Sequence, residues 1–453
     1  MKNNVVLIII DTLRKDYAEH LKNTLEKLGF ISYENAIAPA PWTVPSHASI
    51  FTGLYPIFHG AHVIQDRRLL SYRIRTSIQK LMIQHILKNL GYTNYLYTAN
   101  PYITPFFGYN KFDYVEEIDP FWGVPVLKLN RYDEEKLNKI RSENDLKTLI
   151  NLLKNKEMRL LCKLTLGFIS TRFWRYCTPV KHLYRKMINW PKDKGISKFI
   201  KKIRTLNFKE PAFIFINFME MHEPYLIKDL FHNEMLINLR RNIINKELVK
   251  IWLNRYSNHA TYVRNKIIEL IKIFEEKKLF DNSLIIITSD HGQLLGEHDR
   301  LGHGIFLYDE LLKVPLFIKY PQNIDLKISE KEGYISLIKL KKLILSTIKN
   351  TSFNDEVLYS NLVFAESYGV HLDVGKNLSP IEIKNIENLN TYKIAIYSGE
   401  FKGIFNVNKW NFEEITTYHK EGSELREEIV RSLRGKIIRF LSMSLRVKTR
   451  ITK

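Results

Sequence analysis

Three unbroken apolar runs constrain the fold of this chain most, because each of them stops abruptly at polar residues. The runs are residues 5–10, Ala212–Phe218 and Ser283–Thr288. Strands buried on both faces of a parallel sheet lack the polar alternation of half-exposed strands. In open α/β sheets, ligands gather beyond the carboxyl ends of the strands. The pattern therefore predicts a parallel α/β sheet with a functional site at the edge where the runs end.

The residues just past these runs have the chemistry of a metal site. Asp11 follows the first run, Asp290 and His291 follow the third, and the second leads towards His222. Two carboxylates and an imidazole suit a divalent cation that accepts both oxygen and nitrogen, such as Mn²⁺ or Zn²⁺, with Mg²⁺ and Ca²⁺ as alternatives. We predict one divalent ion held by Asp11, Asp290 and His291.

A hydroxyl group is placed where it could join that site. Residues 41–47 read Pro-Trp-Thr-Val-Pro-Ser-His, and residues 46–52 can form a short helix that Gly53 stops. Thr43 would stand at the helix N-terminus, where free N–H groups and the helix dipole favour an anion. Threonine there is often only a cap. Beside a metal, its hydroxyl could instead attack a phosphoryl or sulfuryl centre, so we predict Thr43 as nucleophile and metal ligand.

Length and composition predict more than one structural unit. The chain has 453 residues, which exceeds what one compact core usually holds. We predict a catalytic α/β domain over residues 1–321, with a basic helical insertion at about 120–208. We expect residues 322–453 to form a C-terminal α+β subdomain with a basic terminal helix. Cys162 and Cys177 are too few for a disulfide framework.

The net charge of +21 points to anionic partners. Residues 125–210 alone hold 22 basic and 8 acidic residues, a net charge of +14. Residues 160–190 mix aromatic and basic side chains, and residues 437–453 are basic and apolar. Two interpretations remain open: peripheral contact with an anionic membrane, or a helical lid with its charge turned outward. Specific nucleic-acid binding is not expected, because no recognised binding module is present.

The sequence also carries an expectation about location. Met1 leads almost directly into the first apolar run, and no apolar stretch reaches the roughly eighteen residues that span a bilayer. We therefore predict a cytoplasmic protein, peripheral at the membrane if its basic surface binds lipid.

The motifs around these residues resemble the sulfatase family of the alkaline phosphatase superfamily. The matching segments occur in the family's order and cover roughly residues 1–108 and 211–321. The resemblance implies a doubly wound, mostly parallel sheet flanked by helices, with a smaller C-terminal α+β subdomain. It also implies a metal-dependent enzyme. The segments are residues 6–14, 40–56, 288–298, 302–304 and 310–316.

The resemblance also implies roles for individual histidines. His222 matches a contact to the substrate anion or leaving group, and His303 stands where the family keeps a cationic side chain near the ester oxygen. We predict both as catalytic. His47 and His298 are predicted to bind substrate, with structural hydrogen bonding as the alternative for each.

Departures from the family pattern bear on the chemistry. True sulfatases carry Cys or Ser where this chain has Thr43, and convert that residue to formylglycine, which threonine cannot form. They carry Arg at the position of His47, and a second acidic residue at the position of Thr12. The chain therefore looks like the unmodified-threonine branch, which resembles phosphodiesterases, phosphonate hydrolases and phosphoglycerol or phosphoethanolamine transferases.

The predicted function is cleavage of a phosphate or sulfate ester through a covalent Thr43 intermediate, with phosphoesters favoured. The substrate would be a phosphorylated or sulfated glycan, lipid or small molecule. Three alternatives stay open: a sulfuric ester hydrolase without formylglycine, a phosphoglycerol- or phosphoethanolamine-type transferase, and an inactive relative that only binds anions.

Overall fold

The computed structural model describes residues 2–64, 71–119, 133, 136–137, 140, 145–330, 332–418 and 427–451. These residues form two compact units, one of Met1–Asp119 with Lys194–Lys453 and one of Pro120–Asp193. Part of the predicted basic insertion, including residues 120–132, lies outside the described residues. So do the last two residues of the basic C-terminal segment.

The strands of the first unit are short, and most are buried. In chain order they are β1 (Asn4–Ile10), β2 (Ile31–Ser32), β3 (Ala36–Ile37), β4 (Thr93–Thr98), β5 (Tyr114–Glu117), β6 (Ala212–Phe218), β7 (Ser283–Thr288), β8 (Leu294–Leu295), β9 (Leu301–Gly302), β10 (Leu316–Lys319), β11 (Asp325–Lys327), β12 (Ile335–Ser336), β13 (Ser352–Asn354), β14 (Leu362–Ser367), β15 (Lys393–Ser398), β16 (Phe401–Asn406) and β17 (Asn411–Thr417).

The helices alternate with these strands over most of the chain. They are α1 (Glu19–Glu26), α2 (Thr43–Thr52), α3 (Pro56–His59), α4 (Thr76–Gln79), α5 (Ile83–Asn89), α6 (Asp145–Lys154), α7 (Met158–Tyr176), α8 (Thr178–Met187), α9 (Ile196–Thr205), α10 (Phe231–Arg241), α11 (Lys246–Glu276), α12 (Asp309–Leu312), α13 (Leu340–Thr347), α14 (Pro380–Leu389) and α15 (Glu427–Ile451). Among the helices of the described segments, none combines the length and apolarity needed to cross a bilayer.

The main sheet has seven strands in the order β2-β10-β7-β1-β6-β4-β5. Its inner pairs β1–β6, β1–β7 and β4–β6 are parallel, whereas β10 runs antiparallel to β7. Every residue of β1, β6 and β7 is buried, as expected for strands covered on both faces. The predicted mostly parallel α/β sheet is confirmed.

The C-terminal part of the first unit builds a separate antiparallel sheet in the order β14-β15-β16-β17. Helix α15 packs on it through Leu433, Ile437 and Phe440, which join the apolar cluster that includes Ile394 and Phe405. Strand β12 pairs with β3, so residues beyond 322 also add to the core of the preceding domain. The predicted α+β character of this region is confirmed.

The second unit is helical where the structure describes it, with α6, α7 and α8 in succession. It ends at Asp193. Helix α9, which the sequence placed inside the insertion, belongs to the first unit. Its side chains Phe199, Ile200 and Ile203 lie in the main core. The reason is the amphipathic pattern of α9, which buries one apolar face.

Helix α3 carries a buried histidine that makes folding sensitive to pH. His59 Nδ1 accepts a hydrogen bond from the Ala61 N–H at 3.0 Å, and Nε2 donates to Ser49 Oγ at 2.9 Å. Both ring nitrogens are thus used by the neutral tautomer. Burial, with a smaller contribution from His62, lowers the pKa of His59 from its ordinary 6.5 to about 3.

We expect His59 to stabilise the fold fully above pH 6.5 and progressively less as the pH falls towards 3. Below the ordinary pKa, the imidazole is protonated in the unfolded chain but not in the folded chain. The free energy of unfolding therefore falls by about 2 kcal/mol between pH 6.5 and about pH 5. Urea unfolding of wild type and of His59→Asn at pH 7 and pH 5 measures this loss of stability. Parallel pH profiles for the two proteins would contradict the assignment.

Candidate active site

Strand register brings the predicted metal ligands to one edge of the main sheet. Ile10 of β1 pairs with Phe218 of β6, and Ile9 pairs with Thr288 of β7. The next residues along β1 and β7 therefore emerge side by side. Asp11, Asp290 and His291 are all fully buried there and lie close enough together to share one ion.

Helix α2 presents Thr43 to this edge. Thr43 is its first residue, after an extended Trp42, and Gly53 ends the helix in the left-handed conformation at φ 71°. Thr43 Oγ1 donates to Asp11 Oδ2 at 3.2 Å and lies 3.4 Å from His291 Nε2. The Ser46 hydroxyl donates to the backbone oxygen of Asp290 at 2.7 Å, which ties the helix to the end of β7.

The lone pairs of Asp11, Asp290 and His291 lie close together, in an arrangement that suits a bound cation. The carbonyl of Gly292 accepts from His291 Nδ1 at 2.8 Å, so the neutral ring has its lone pair on Nε2. That atom lies 3.4 Å from Asp290 Oδ2 and 3.8 Å from Asp11 Oδ1. Neither of these two buried carboxylate oxygens has a hydrogen-bond partner. Buried polar atoms rarely stay unpaired, so the donor set fits a divalent ion.

The electrostatics of the two carboxylates agree with this interpretation. Burial raises the pKa of Asp11, and the Asp290 carboxylate raises it further. For Asp290, burial also opposes ionisation, but the imidazoles of His291 and His47 outweigh it and lower the pKa. A bound cation would remove the repulsion that disfavours the charged form of Asp11.

Two residues that hold Asp11 or the loop after it, Asn100 and Tyr256, escaped the sequence analysis. Asn100, two residues past the end of β4, donates its amide to Asp11 Oδ2 at 2.8 Å. The rule that ligands gather at strand ends could have singled it out. Thr12 adopts a positive φ of 62°, and its backbone oxygen accepts from the Tyr256 hydroxyl of α11. The hydroxyl of Tyr256 also accepts from the Arg14 N–H, so α11 holds the loop after β1 in place.

His47 is buried behind the carboxylates. Its Nδ1 lies 3.2 Å from both Thr43 O and Asp290 Oδ2, and the Asn217 amide lies 3.3 Å from its Nε2. The side chain is fully buried. These contacts favour the structural interpretation of His47, which orients Asp290, over direct substrate binding.

A second group of possible ligands lies beside the first. His222, Glu223 and His303 lie close together. The His303 ring is 4.8 Å from that of His291 and 5.0 Å from that of His222. Gln293, which the sequence analysis missed, donates to Glu223 Oε2 at 3.0 Å and contacts His303 Nδ1 at 2.6 Å. The glutamate oxygen thereby has a hydrogen-bond partner, unlike Asp11 Oδ1.

This network sets the tautomer of His303. The Glu223 carboxylate only accepts, so the amide nitrogen of Gln293 faces it and the amide oxygen faces His303. Nδ1 of His303 must then carry the proton, which leaves a lone pair on Nε2. Burial lowers the pKa of His303 well below its ordinary value, helped by the imidazoles of His291 and His222. The ring is therefore neutral at neutral pH unless an anion binds beside it, in contrast to the expected cationic group.

Replacing Gln293 with leucine is expected to lower kcat by about 10- to 100-fold, because partners that orient reactive groups contribute that much. KM should change little, since Gln293 touches His303 rather than the substrate. Steady-state kinetics and the pH profile of kcat measure these changes in kcat and KM. Restoration of most of the activity by Gln293→Glu at low pH, where the protonated acid donates in the same way, would support the role. An unchanged kcat in Gln293→Leu would contradict it.

His298 stands apart from these groups. Its ring stacks on Tyr308 at 3.8 Å between centroids, and Nε2 lies 3.2 Å from the Glu310 carboxylate. None of its described contacts reaches Thr43 or the other histidines. The structure thus brings together Asp11, Thr43, Asp290, His291, His222 and His303, and leaves His298 at the surface.

Comparisons with known proteins show that the chain is similar to sulfatases. An arylsulfatase of Clostridium perfringens is 24% identical over 360 residues, which is 72% of this chain and 70% of that protein. The low-salt glycan biosynthesis sulfotransferase of Haloferax volcanii is 41% identical over 66 residues. Three curated relatives, that sulfotransferase included, are matched over only 12% to 20% of their own lengths.

The fold has solved counterparts. The phosphonate monoester hydrolase of Agrobacterium radiobacter superposes with a TM-score of 0.60 at 13% identity, covering 98% of this chain and 96% of that one. The family model described as Sulfatase matches residues 3–348. The expected resemblance is confirmed: the chain belongs to the sulfatase family, a family of hydrolytic enzymes.

Proposed function

We propose that this protein is a metal-dependent hydrolase that cleaves an anionic ester through Thr43, with phosphodiesters and phosphonate esters favoured over sulfate esters. The observation that carries the proposal is the position of Thr43 Oγ1, at a helix N-terminus and within 3.4 Å of both Asp11 and His291. The Thr43 hydroxyl therefore lies beside Asp11, which can act as the base, beside the predicted metal ligand His291, and at a helix end that favours anions.

The chain's own residues account for the first half of the reaction. Thr43 Oγ1 passes its proton along the hydrogen bond to Asp11 Oδ2 and attacks the phosphorus atom. The bond from Oγ1 to phosphorus forms as the bond to the leaving-group oxygen breaks, and the leaving group takes the electron pair. A divalent ion held by Asp11, Asp290 and His291 would supply Lewis acidity to substrate and hydroxyl.

In the second half, water attacks the phosphorus of the Thr43 ester, the bond from phosphorus to Oγ1 breaks, and Oγ1 takes back the proton held by Asp11. The unprotonated Nε2 of His303 can accept a proton from that water, and His222 stands beside it at the same edge of the site. The side chains here are neutral or cationic apart from the metal ligands and Glu223, which suits an anionic substrate.

Phosphorus esters are favoured over sulfate esters as substrates because the nucleophile is a threonine. Threonine cannot become the aldehyde on which sulfatases rely, so release must occur by attack of water on the ester of Thr43. Paired substrates with one leaving group test this choice: bis(p-nitrophenyl) phosphate, p-nitrophenyl phenylphosphonate and p-nitrophenyl sulfate. We expect kcat/KM to be higher for both phosphorus esters with added Mn²⁺ or Zn²⁺. A higher value for the sulfate would favour the sulfuric ester hydrolase.

Transfer to an alcohol is the second candidate. The short match to a protein described as a sulfotransferase supports it. Adding glycerol to the assay distinguishes the two: a transferase yields a glycerol ester, whereas a hydrolase yields only the free acid. The inactive anion-binding alternative is weakened by the intact group of Asp11, Asp290 and His291. A cytoplasmic location stays a prediction.

A further inference from the structure

The second compact unit exposes an apolar stripe along α7. Leu166, Ile169, Phe173 and Tyr176 lie three and four residues apart, which places them on one face of the helix. Their exposed fractions are 56%, 56%, 44% and 67%. Scattered apolar side chains on a surface need no explanation, but a continuous stripe of this kind marks a binding surface.

Helix α8 continues the same feature. Val180, Leu183 and Met187 recur at the same spacing and are 47%, 62% and 75% exposed. A helix that lies on a protein core turns such a face inward. Here the apolar face of α8 is open to solvent, directly after the exposed face of α7.

The charge of α7 and α8 indicates which kind of partner covers their apolar faces. Residues 158–187 contain seven Lys and Arg and no Asp or Glu. Arg159, Arg172, Arg175 and Lys186 are exposed. A second copy of this chain would bring equal positive charge to the same face, which disfavours self-association. Nucleic acid would satisfy the charge but leave the aliphatic stripe uncovered, whereas an anionic bilayer meets both needs.

We propose that α7 and α8 form a membrane-docking surface that lies on an anionic phospholipid bilayer. The apolar stripe enters the boundary between headgroups and acyl chains, while the exposed arginines contact lipid phosphates. The proposal does not depend on the catalytic assignment, because it concerns a different compact unit.

Vesicle flotation of the full chain tests the proposal. The probes are vesicles of phosphatidylcholine mixed with phosphatidylglycerol, and vesicles of phosphatidylcholine alone. We expect binding to the anionic vesicles that weakens as salt rises. Arg159→Gln, Arg172→Gln and Arg175→Gln combined should weaken it by about 100-fold, since each basic residue near the surface contributes about fivefold. Leu166→Ser, Ile169→Ser and Phe173→Ser combined should weaken it by at least about tenfold.

A matched control removes the same charge from the other unit. Lys246, Lys250 and Lys272 are exposed on α11, and their replacement by Gln should leave vesicle binding within about twofold of wild type, because they lie outside the docking surface. All three variants should keep wild-type activity on a soluble ester, which shows that they fold.

Three results would overturn the proposal. Equal loss of binding in the α11 control would mean that net charge alone drives binding. Undiminished binding in the apolar variant, or no binding of wild type to anionic vesicles, would exclude membrane docking through this surface. A wild-type dimer in sedimentation that the apolar variant abolishes would identify a second copy as the occupant instead.

Discussion

Thr43→Ala is expected to lower kcat/KM for a phosphodiester by about 10³- to 10⁵-fold, because it removes the atom that attacks phosphorus. Thr43 Oγ1 sits at the start of α2, 3.2 Å from Asp11 Oδ2, and nothing else described at that point supplies a hydroxyl to the same ligands. Steady-state kinetics with bis(p-nitrophenyl) phosphate measure the loss. Intact mass of wild type stopped during turnover should show the phosphoryl adduct, and the variant should lack it.

The control is Thr43→Ser, which keeps the hydroxyl and the helix start. It should retain the adduct and a measurable part of the activity. If Thr43→Ala matched Thr43→Ser in rate, the nucleophile would lie elsewhere, and Thr43 would be only a cap for α2.

The second large effect is expected from Asp290→Asn, which should abolish metal binding and activity together. Asp290 supplies one of the two buried carboxylate oxygens without a hydrogen-bond partner. In wild type, an ion at a concentration on the order of 100 times its Kd should stabilise the fold by about 3 kcal/mol. The variant should gain nothing from the same ion. Metal content by mass spectrometry and thermal unfolding with and without added Mn²⁺ or Zn²⁺ measure both.

Asp281→Asn is the matched control, because Asp281 is exposed just before β7 and loses the same charge. It should bind the ion like wild type. A stoichiometry of one ion per chain is expected, because the carboxylate of the second group already pairs with Gln293. Two ions per chain would show that His222, Glu223 and His303 bind metal as well. Metal stabilisation that persists in Asp290→Asn would contradict the ligand assignment.

Much of the site could be predicted from sequence because its residues sit at fixed points of regular elements. Unbroken apolar runs identified β1 and β7, and Asp11 and Asp290 follow directly from where those runs end. Thr43 followed from helix-start signals around Pro45. Such features are local, so the order of residue types along the chain is enough to find them.

Residues that act across elements could not be found in this way. Gln293 lies in a loop, and its importance comes from bridging His303, ten residues away, to Glu223, 70 residues away in the chain. Asn100 and Tyr256 act on the loop after β1 from β4 and α11. His47 matched a substrate-binding position by resemblance, yet packing buries it behind Asp290. Hydrogen-bond partners across a fold depend on three-dimensional packing, which one sequence does not specify residue by residue.

The sequence by itself determined the parallel sheet, the edge at which its polar residues gather, and the family. These follow from strand burial and helix signals, whose cause is local. Only the tertiary structure decided that Asp11, Asp290 and His291 lie close enough together to share one ion, that burial lowers the pKa of His303, and that the basic helices carry an exposed apolar stripe. Register, burial and pairing between distant segments set those properties, because an ionisable group responds to the groups packed around it.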